Sequence, residues 1–105
     1  MKANELRIGN WVKRKGLVVQ CDHMSVDNCY SWPEQYEPIP ITEEWLVKFG
    51  FEEVKRYGDG VWRVHDFILI FYPDECFLCD CDIDVKIKHV HQLQNLYFAL
   101  TGKEL

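Results

Sequence analysis

The chain has 105 residues, 48% of them hydrophobic, which is enough for one apolar core but not for two. Its formal net charge is −5 at pH 7, and this acidic excess opposes the phosphate contacts that carry most affinity for DNA and RNA, so general nucleic-acid binding is disfavoured. The longest apolar run, residues 67–72, is six residues long. A membrane helix needs roughly 18 to 20, so we expect no membrane span. We expect a single domain over residues 1–105.

The five cysteines do not predict a set of disulfide bonds. Their number is odd, and residues 1–5 lack the apolar stretch of a secretory signal. Thiols stay reduced in the cytosol. We therefore expect a cytoplasmic protein with free cysteines.

The amino-terminal segment alternates between apolar and polar residues, as strands of a β-hairpin do. Apolar runs on either side of Lys15-Gly16 predict two strands within residues 6–20, and the opening of the first strand resembles that of small SH3-like barrels. Residues 21–40 contain three prolines, which interrupt strand ladders. We expect this segment to be a partly irregular loop.

Two helices are predicted from capping residues and periodicity. Thr42 is a suitable N-cap and Gly50 a suitable stop, which predicts a short helix over residues 42–49. Apolar residues at helical spacing predict a longer carboxy-terminal helix over residues 89–101, ended by Gly102. The apolar stripe of this helix consists of Val90, Leu93, Leu96, Tyr97 and Leu100.

Between the two helices the pattern changes to that of strands. The predicted strands are residues 51–56, 61–72, 76–81 and 84–88. The second of these is either one long bent strand or two strands that meet near His65-Asp66, and Pro73-Asp74 forms the turn that follows. Sequence neighbours usually pair in space. The sequence therefore predicts an α+β fold, with an antiparallel, SH3-like or barrel-like sheet and two helices.

Three cysteines form a C-x-x-C-x-C pattern at Cys76, Cys79 and Cys81. Together with His89 or His91 they could supply four ligands to a zinc ion. The first pair, however, encloses two strand residues, and alternate side chains of a strand leave on opposite faces. We expect these cysteines to act as small buried hydrophobic residues, with no metal and no cofactor.

Two further groups of residues are candidates for chemistry. Asp80, Asp82 and Asp84 could gather around a cation, but the glycine and glutamate of an EF-hand loop are missing, and we expect them to keep a sheet edge soluble. A Cys–His nucleophile could be drawn from Cys21 or Cys29 with His23, His65 or His91. No catalytic motif accompanies these residues, so we expect a non-enzymatic protein, with a small zinc-binding or Cys/His enzyme as a minor alternative.

Binding candidates come from polar and aromatic side chains predicted to face solvent. Successive residues of a helix are turned by about 100°. The residues opposite the apolar stripe of the carboxy-terminal helix are His91, Gln94, Asn95 and Phe98. Trp32 and Tyr36 form a second candidate surface, unless Trp32 closes the end of a barrel. The alternative is that residues 21–40 or a second copy of the chain cover Phe98. A homodimer is therefore a second possibility.

Three stretches resemble, as a set, a group of small uncharacterised proteins encoded in phages, prophages and mobile elements of gut bacteria. They are residues 1–12 (MKANELRIGNWV), 40–51 (PITEEWLVKFGF) and 89–102 (HVHQLQNLYFALTG). The resemblance implies a setting but no activity, cofactor or catalytic residue.

In that setting we expect a module that docks onto a host or phage protein. An acidic protein with exposed aromatic residues could cover the basic groove of a host enzyme. The alternative is a protein that sequesters a small nucleotide signal of bacterial immunity. Its stacking and cationic groups would come from Trp32, Tyr36, Arg56 and Arg63.

Overall fold

The computed structural model describes residues 1, 3–58, 60–65, 67–72, 75–79 and 84–105. Within them lie three α-helices and eight strands, arranged in two antiparallel sheets. The predicted α+β class is confirmed. The backbone divides into two compact units, which we call the first unit (Met1–Pro40 with His89–Glu104) and the second unit (Ile41–Lys88 with Leu105). A single domain over residues 1–105 stays a prediction.

The first unit contains a three-stranded antiparallel sheet. Its strands are β1 (Trp11–Arg14), β2 (Leu17–Gln20) and β3 (Tyr36–Glu37), in the order β2-β1-β3. Lys15 and Gly16 join β1 to β2, and both have positive φ, 51° and 81°. Two such residues form the type I′ turn, whose twist matches that of a β-hairpin. The predicted hairpin is therefore confirmed.

A bulge extends this hairpin beyond the start of β1. Gly9 N donates to Cys21 O at 2.8 Å, and Cys21 N donates to Asn10 O at 2.7 Å. Gly9 and Asn10 thus both lie opposite Cys21, and the first of the two, Gly9, has a φ of 95°. This is the arrangement of a G1 bulge, which requires a left-handed backbone at its first residue.

The first helix, α1 (His23–Ser31), occupies the segment that was predicted to be an irregular loop. That prediction is wrong because the three prolines lie beyond the helix, and Asp22 begins it as an N-cap. Its Oδ1 accepts from Ser25 N at 2.8 Å and from Ser25 Oγ at 3.0 Å. The helix contributes to a core cluster that consists of Leu6, Val12, Cys21, Cys29 and Tyr36.

The carboxy-terminal helix, α3 (Val90–Thr101), was predicted with nearly these bounds and is confirmed. Its buried face, however, differs from the predicted stripe. Leu100 is exposed and Leu96 only partly buried, whereas the polar His91 and Gln94 are buried. At about 100° per residue, the buried face is turned by roughly 70° from the apolar stripe. Contacts other than apolar ones therefore set the rotation of α3.

The second unit contains a five-stranded antiparallel sheet whose strands follow chain order, as the predicted meander does. The strands are β4 (Glu52–Glu53), β5 (Val61–Val64), β6 (Phe67–Tyr72), β7 (Glu75–Cys79) and β8 (Asp84–Ile87). In the described part of the chain, the two edge strands of each sheet do not pair with each other, so neither sheet closes into a barrel. Two open sheets thus stand where one barrel-like sheet was expected.

Two local predictions in the second unit are refined. Residues 61–72 form two strands rather than one, and they meet at His65, which has a φ of 51°. The predicted strand 51–56 is shortened to two residues, because a 3₁₀ turn begins at Lys55. The predicted turn at Pro73-Asp74 lies outside the described residues.

The second unit also holds α2 (Glu43–Lys48), which confirms the predicted short helix. Phe51 N donates to Leu46 O at 2.9 Å and Gly50 N donates to Val47 O at 3.0 Å. Gly50 has a φ of 89°. These two bonds are the Schellman ending, and they bring the buried Phe51 back towards the buried Leu46. None of the described helices has both the length and the apolar character needed to cross a membrane.

Gly60 gives a test of the second sheet. A Cβ at this position would overlap the backbone carbonyl oxygen of Phe71, whereas one at Gly16 would meet open space at the same φ of 81°. Both Gly→Ala variants incur about 1 kcal/mol of left-handed strain, and we expect Gly60→Ala to cost roughly 1–3 kcal/mol more from overlap. Urea unfolding measures both values. Equal losses would contradict this packing.

Candidate functional site

Gln94 joins α3 to the bulged end of the hairpin through its side-chain amide. Its Oε1 accepts from Trp11 N at 2.8 Å, and its Nε2 donates to Gly9 O at 2.9 Å. The side chain is only 1% exposed. A buried amide is stable in such a place because both of its ends are hydrogen-bonded.

Asn95, the next residue of α3, extends these contacts along the amino-terminal segment. Its Oδ1 accepts from Arg7 Nε at 3.0 Å and from Asn10 Nδ2 at 2.9 Å, and its Nδ2 donates to Glu5 O at 3.0 Å. Asn10 is fully buried, and its Oδ1 accepts from Arg7 N at 2.7 Å. We call Arg7, Asn10, Gln94 and Asn95 the amide clasp.

Arg7 forms the outer end of the amide clasp. Its Nη1 lies 2.6 Å from Glu104 Oε1, its Nη2 donates to Gln94 O at 3.3 Å, and its guanidinium lies 4.3 Å from the ring centroid of Phe98. The ion pair is partly exposed and contributes little by itself. The stacked guanidinium does cover one face of the Phe98 ring.

These contacts correct the predicted outer face of α3. His91 and Gln94 are buried and Asn95 is partly buried, so the expectation that all three face solvent is wrong. The physical reason is that partners distant in sequence satisfy the polar side chains of Gln94 and Asn95. Phe98 alone of the four is exposed, to 40%, and part of its ring lies under Arg7.

His91 is a buried imidazole beside a second one. Its ring stacks on that of His89, with centroids 5.7 Å apart and planes 12° from parallel. Its Nδ1 has no hydrogen-bond partner among the described residues. Burial lowers the pKa of His91, the neighbouring His89 lowers it further, and Glu5 acts in the opposite direction. The neutral form is therefore favoured.

The second predicted surface divides into one exposed and one buried residue. Trp32 follows α1 and is 53% exposed. Its backbone N–H donates to Asn28 O at 2.8 Å. Tyr36 is buried, and its hydroxyl accepts from Asn28 Nδ2 at 3.0 Å. Its expected place on the surface is wrong because β3 pairs with β1 and Tyr36 belongs to the core cluster that includes Val12 and Cys29.

Two exposed residues of α1 were not among the predicted binding residues. Tyr30 is 83% exposed, and Met24 is exposed six residues earlier in the helix, about 120° away around the helix axis. The signal that could have found them was the Asp22 cap, which would have placed residues 23–31 on a helix. We call Met24, Tyr30 and Trp32 the apolar patch.

A cavity of about 520 Å³ lies in the first unit, and Met24 is the member of the apolar patch that lines it. Its lining includes Arg14 of β1 and Asp22, Met24, Asp27, Asn28 and Ser31 of the α1 region. The volume is within the range of small-ligand sites. One cation and two carboxylates give the cavity wall an excess of negative charge.

The described thiols are poor candidates for nucleophiles. Burial is the main cause that raises the pKa of Cys21 to about 11, that of Cys76 to about 12, and that of Cys29 above its usual value. A thiol that stays protonated attacks and binds metals poorly. Cys81, Asp80 and Asp82 lie outside the described residues. Among the residues that are described, no three His, Cys, Asp or Glu side chains are grouped to hold a metal ion.

Comparison with protein-family models, with curated proteins and with solved structures found no match to this chain. The resemblance to phage and mobile-element proteins therefore stays an expectation. Function has to follow from the geometry and chemistry of the site itself.

The amide clasp predicts a large effect for one buried amide. Gln94→Ala removes the acceptor of the Trp11 N–H, and we expect a loss of about 2–3 kcal/mol in the free energy of unfolding, measured with urea. Gln20 is the matched control, because its exposed Nε2 also donates to Gly9 O, at 3.1 Å. Gln20→Ala should cost less than about 0.5 kcal/mol. Similar losses in the two variants would contradict the clasp.

Burial of His91 predicts a pH dependence of stability. Because its pKa is lower in the folded protein than its ordinary value of 6.5, the unfolded chain takes up the proton first as pH falls. This contribution to stability is present above pH 6.5 and is lost as pH falls from there through the lowered pKa. His91→Leu should flatten that part of the profile in urea unfolding at several pH values. Parallel profiles for the variant and the wild type would show that His91 does not cause the slope.

Proposed function

We propose that this protein is a non-enzymatic module that binds another protein. The apolar patch carries this proposal, because Tyr30 and Trp32 are exposed to 83% and 53%. Small domains usually use their aromatic residues in the core. Exposed Tyr and Trp side chains are typical of binding surfaces, since they bury large areas at a small entropy cost.

The cavity in the first unit supports this proposal. Met24 lines the cavity, and Trp32 directly follows Ser31, another lining residue. A side chain of the partner could enter this cavity and contact Met24. Arg14 and Asn28 offer donors there, and Asp27 offers an acceptor.

Charge favours a basic surface on the partner. Asp22 and Asp27 line the cavity, Glu34 follows Trp32 closely in the chain, and the whole protein has a net charge of −5. Electrostatic complementarity raises association rates and excludes partners of like charge. A nucleic-acid groove of a host enzyme is a surface of this kind.

The proposed setting rests on the sequence resemblance alone. We propose that the partner is a host or phage protein and that binding occurs in the bacterial cytoplasm. Three of the five cysteines are buried, free thiols, which fits a reducing compartment but does not require one.

A small nucleotide is the second candidate ligand, and the cavity beside Arg14 favours it. Two observations weigh against this alternative. Asp22 and Asp27 in the wall repel phosphate groups, and Tyr36, one of the expected stacking residues, is buried. A Cys–His enzyme is supported less well still, because the described thiols are held protonated.

The test compares an aromatic double variant with a matched aromatic control. Wild type, Tyr30→Ala/Trp32→Ala and Tyr57→Ala are immobilised and exposed to lysates of gut bacteria with and without phage infection. Tyr57 is an exposed tyrosine of the second unit. We expect a protein that binds the wild type and Tyr57→Ala alike. Loss of a binding hot spot costs about 2 kcal/mol, so the double variant should bind it at least roughly thirtyfold more weakly.

Circular dichroism checks that all three proteins are folded, and native mass spectrometry of the purified wild type reports bound nucleotide. Equal recovery of the captured protein by the double variant would contradict the role of the patch. A copurifying nucleotide with no captured protein would replace the docking proposal with the sequestering one.

A further inference from the structure

Strand β2 differs from the other strands that end the two described sheets. Edge strands present unpaired backbone groups, and proteins usually protect them with charged residues or proline. Such residues are found on β3, which is followed by Pro38, on β4, which consists of two glutamates, and on β8, which includes Lys86. By contrast, β2 has the sequence Leu-Val-Val-Gln, without charge or proline.

The outward backbone groups of β2 follow from its pairing with β1. In a hairpin with a two-residue turn, the residues next to the turn, Arg14 and Leu17, exchange hydrogen bonds, and every second pair after them does so. The N–H and C=O groups of Val18 and Gln20 therefore point away from β1. Leu17 and Val18 are exposed to 69% and 49%. Both the backbone and the side chains of this edge are open to another strand.

We propose that the occupant of this edge is β2 of a second copy of the chain, paired antiparallel across a two-fold axis. The outward groups match when Val18 lies opposite the partner's Gln20 and Val19 lies opposite the partner's Val19. Each of the two Val18–Gln20 pairs then exchanges two backbone hydrogen bonds. The contact is self-complementary and closes at two copies.

Charge complementarity favours a second copy as the occupant. Continued past the strand ends, the same register places Gly16 opposite the partner's Asp22, with Lys15 next to Gly16 at the hairpin tip. Lys15 and Asp22 are both exposed, and symmetry forms this pair twice. The paired strands place no like charges opposite each other, which matters in a protein of net charge −5. This proposal is independent of the apolar patch.

Sedimentation velocity over a broad range of concentration tests the proposal. We expect the wild type to dimerise and Val18→Lys to weaken the dimer at least tenfold, because a lysine on an edge strand disfavours its pairing with another strand. Val47→Lys is the matched control, since Val47 is an exposed valine of α2 and its replacement changes the net charge equally. The control should dimerise like the wild type.

Lys15→Glu tests the register with little risk to folding, because Lys15 lies exposed in the turn. It places a carboxylate beside the partner's Asp22 and should weaken the dimer several-fold, whereas Lys55→Glu, with the same net charge, should not. A monomeric wild type overturns the proposal, as does a dimer that Val18→Lys and Lys15→Glu leave unchanged. A monomer that binds a different protein and loses it in Val18→Lys assigns β2 to that protein instead.

Discussion

The first unit depends on the side-chain amide of Gln94 and its two bonds to the hairpin. Trp11 pairs with Gln20 at a position where the backbone N–H points away from β2, and the bulge at Gly9 directs a carbonyl oxygen to the same side. Unpaired backbone groups of this kind are costly when buried. Gln94 provides one donor and one acceptor, which is what the peptide groups of a further strand would provide. A helix thereby completes a sheet.

This constraint explains why the face of α3 could not be predicted. Sequence patterns assign glutamine and asparagine to the solvent side, because burial is costly unless every polar atom finds a partner. Here the partners of Gln94 and Asn95 lie 83 to 90 residues away in the chain. No local pattern carries that information. The type I′ turn, the Gly50 ending and the meander were predictable for the opposite reason, since each depends on neighbours in sequence.

The candidate site was predicted in part for the same reason. Trp32 was expected at the surface and is there, whereas Tyr36 is buried in the core cluster with Val12, and the strand pairing that brings it there joins residues 22 positions apart. The missed helix α1 shows a different limit. Asp22 is a local signal that was present, but three prolines later in the segment outweighed it. The exposure of Met24 and Tyr30 could be assigned only once that helix was known.

The amide clasp also gives the three-stranded sheet two unlike edges. On one side of β1, the short strand β3 pairs with Lys13 and Arg14, and Gln94 binds the backbone of Gly9 and Trp11. On that side, β3 thus pairs with the carboxy-terminal end of β1, and Gln94 forms hydrogen bonds with the backbone at its amino-terminal end. On the other side, β2 has neither a charged residue nor a covering element that bonds its outward backbone among the described residues. The side-chain amide of Gln94 thus covers the part of β1 that the two-residue strand β3 leaves unpaired, whereas the four-residue strand β2 is the longer edge of this sheet and the one without a charged residue.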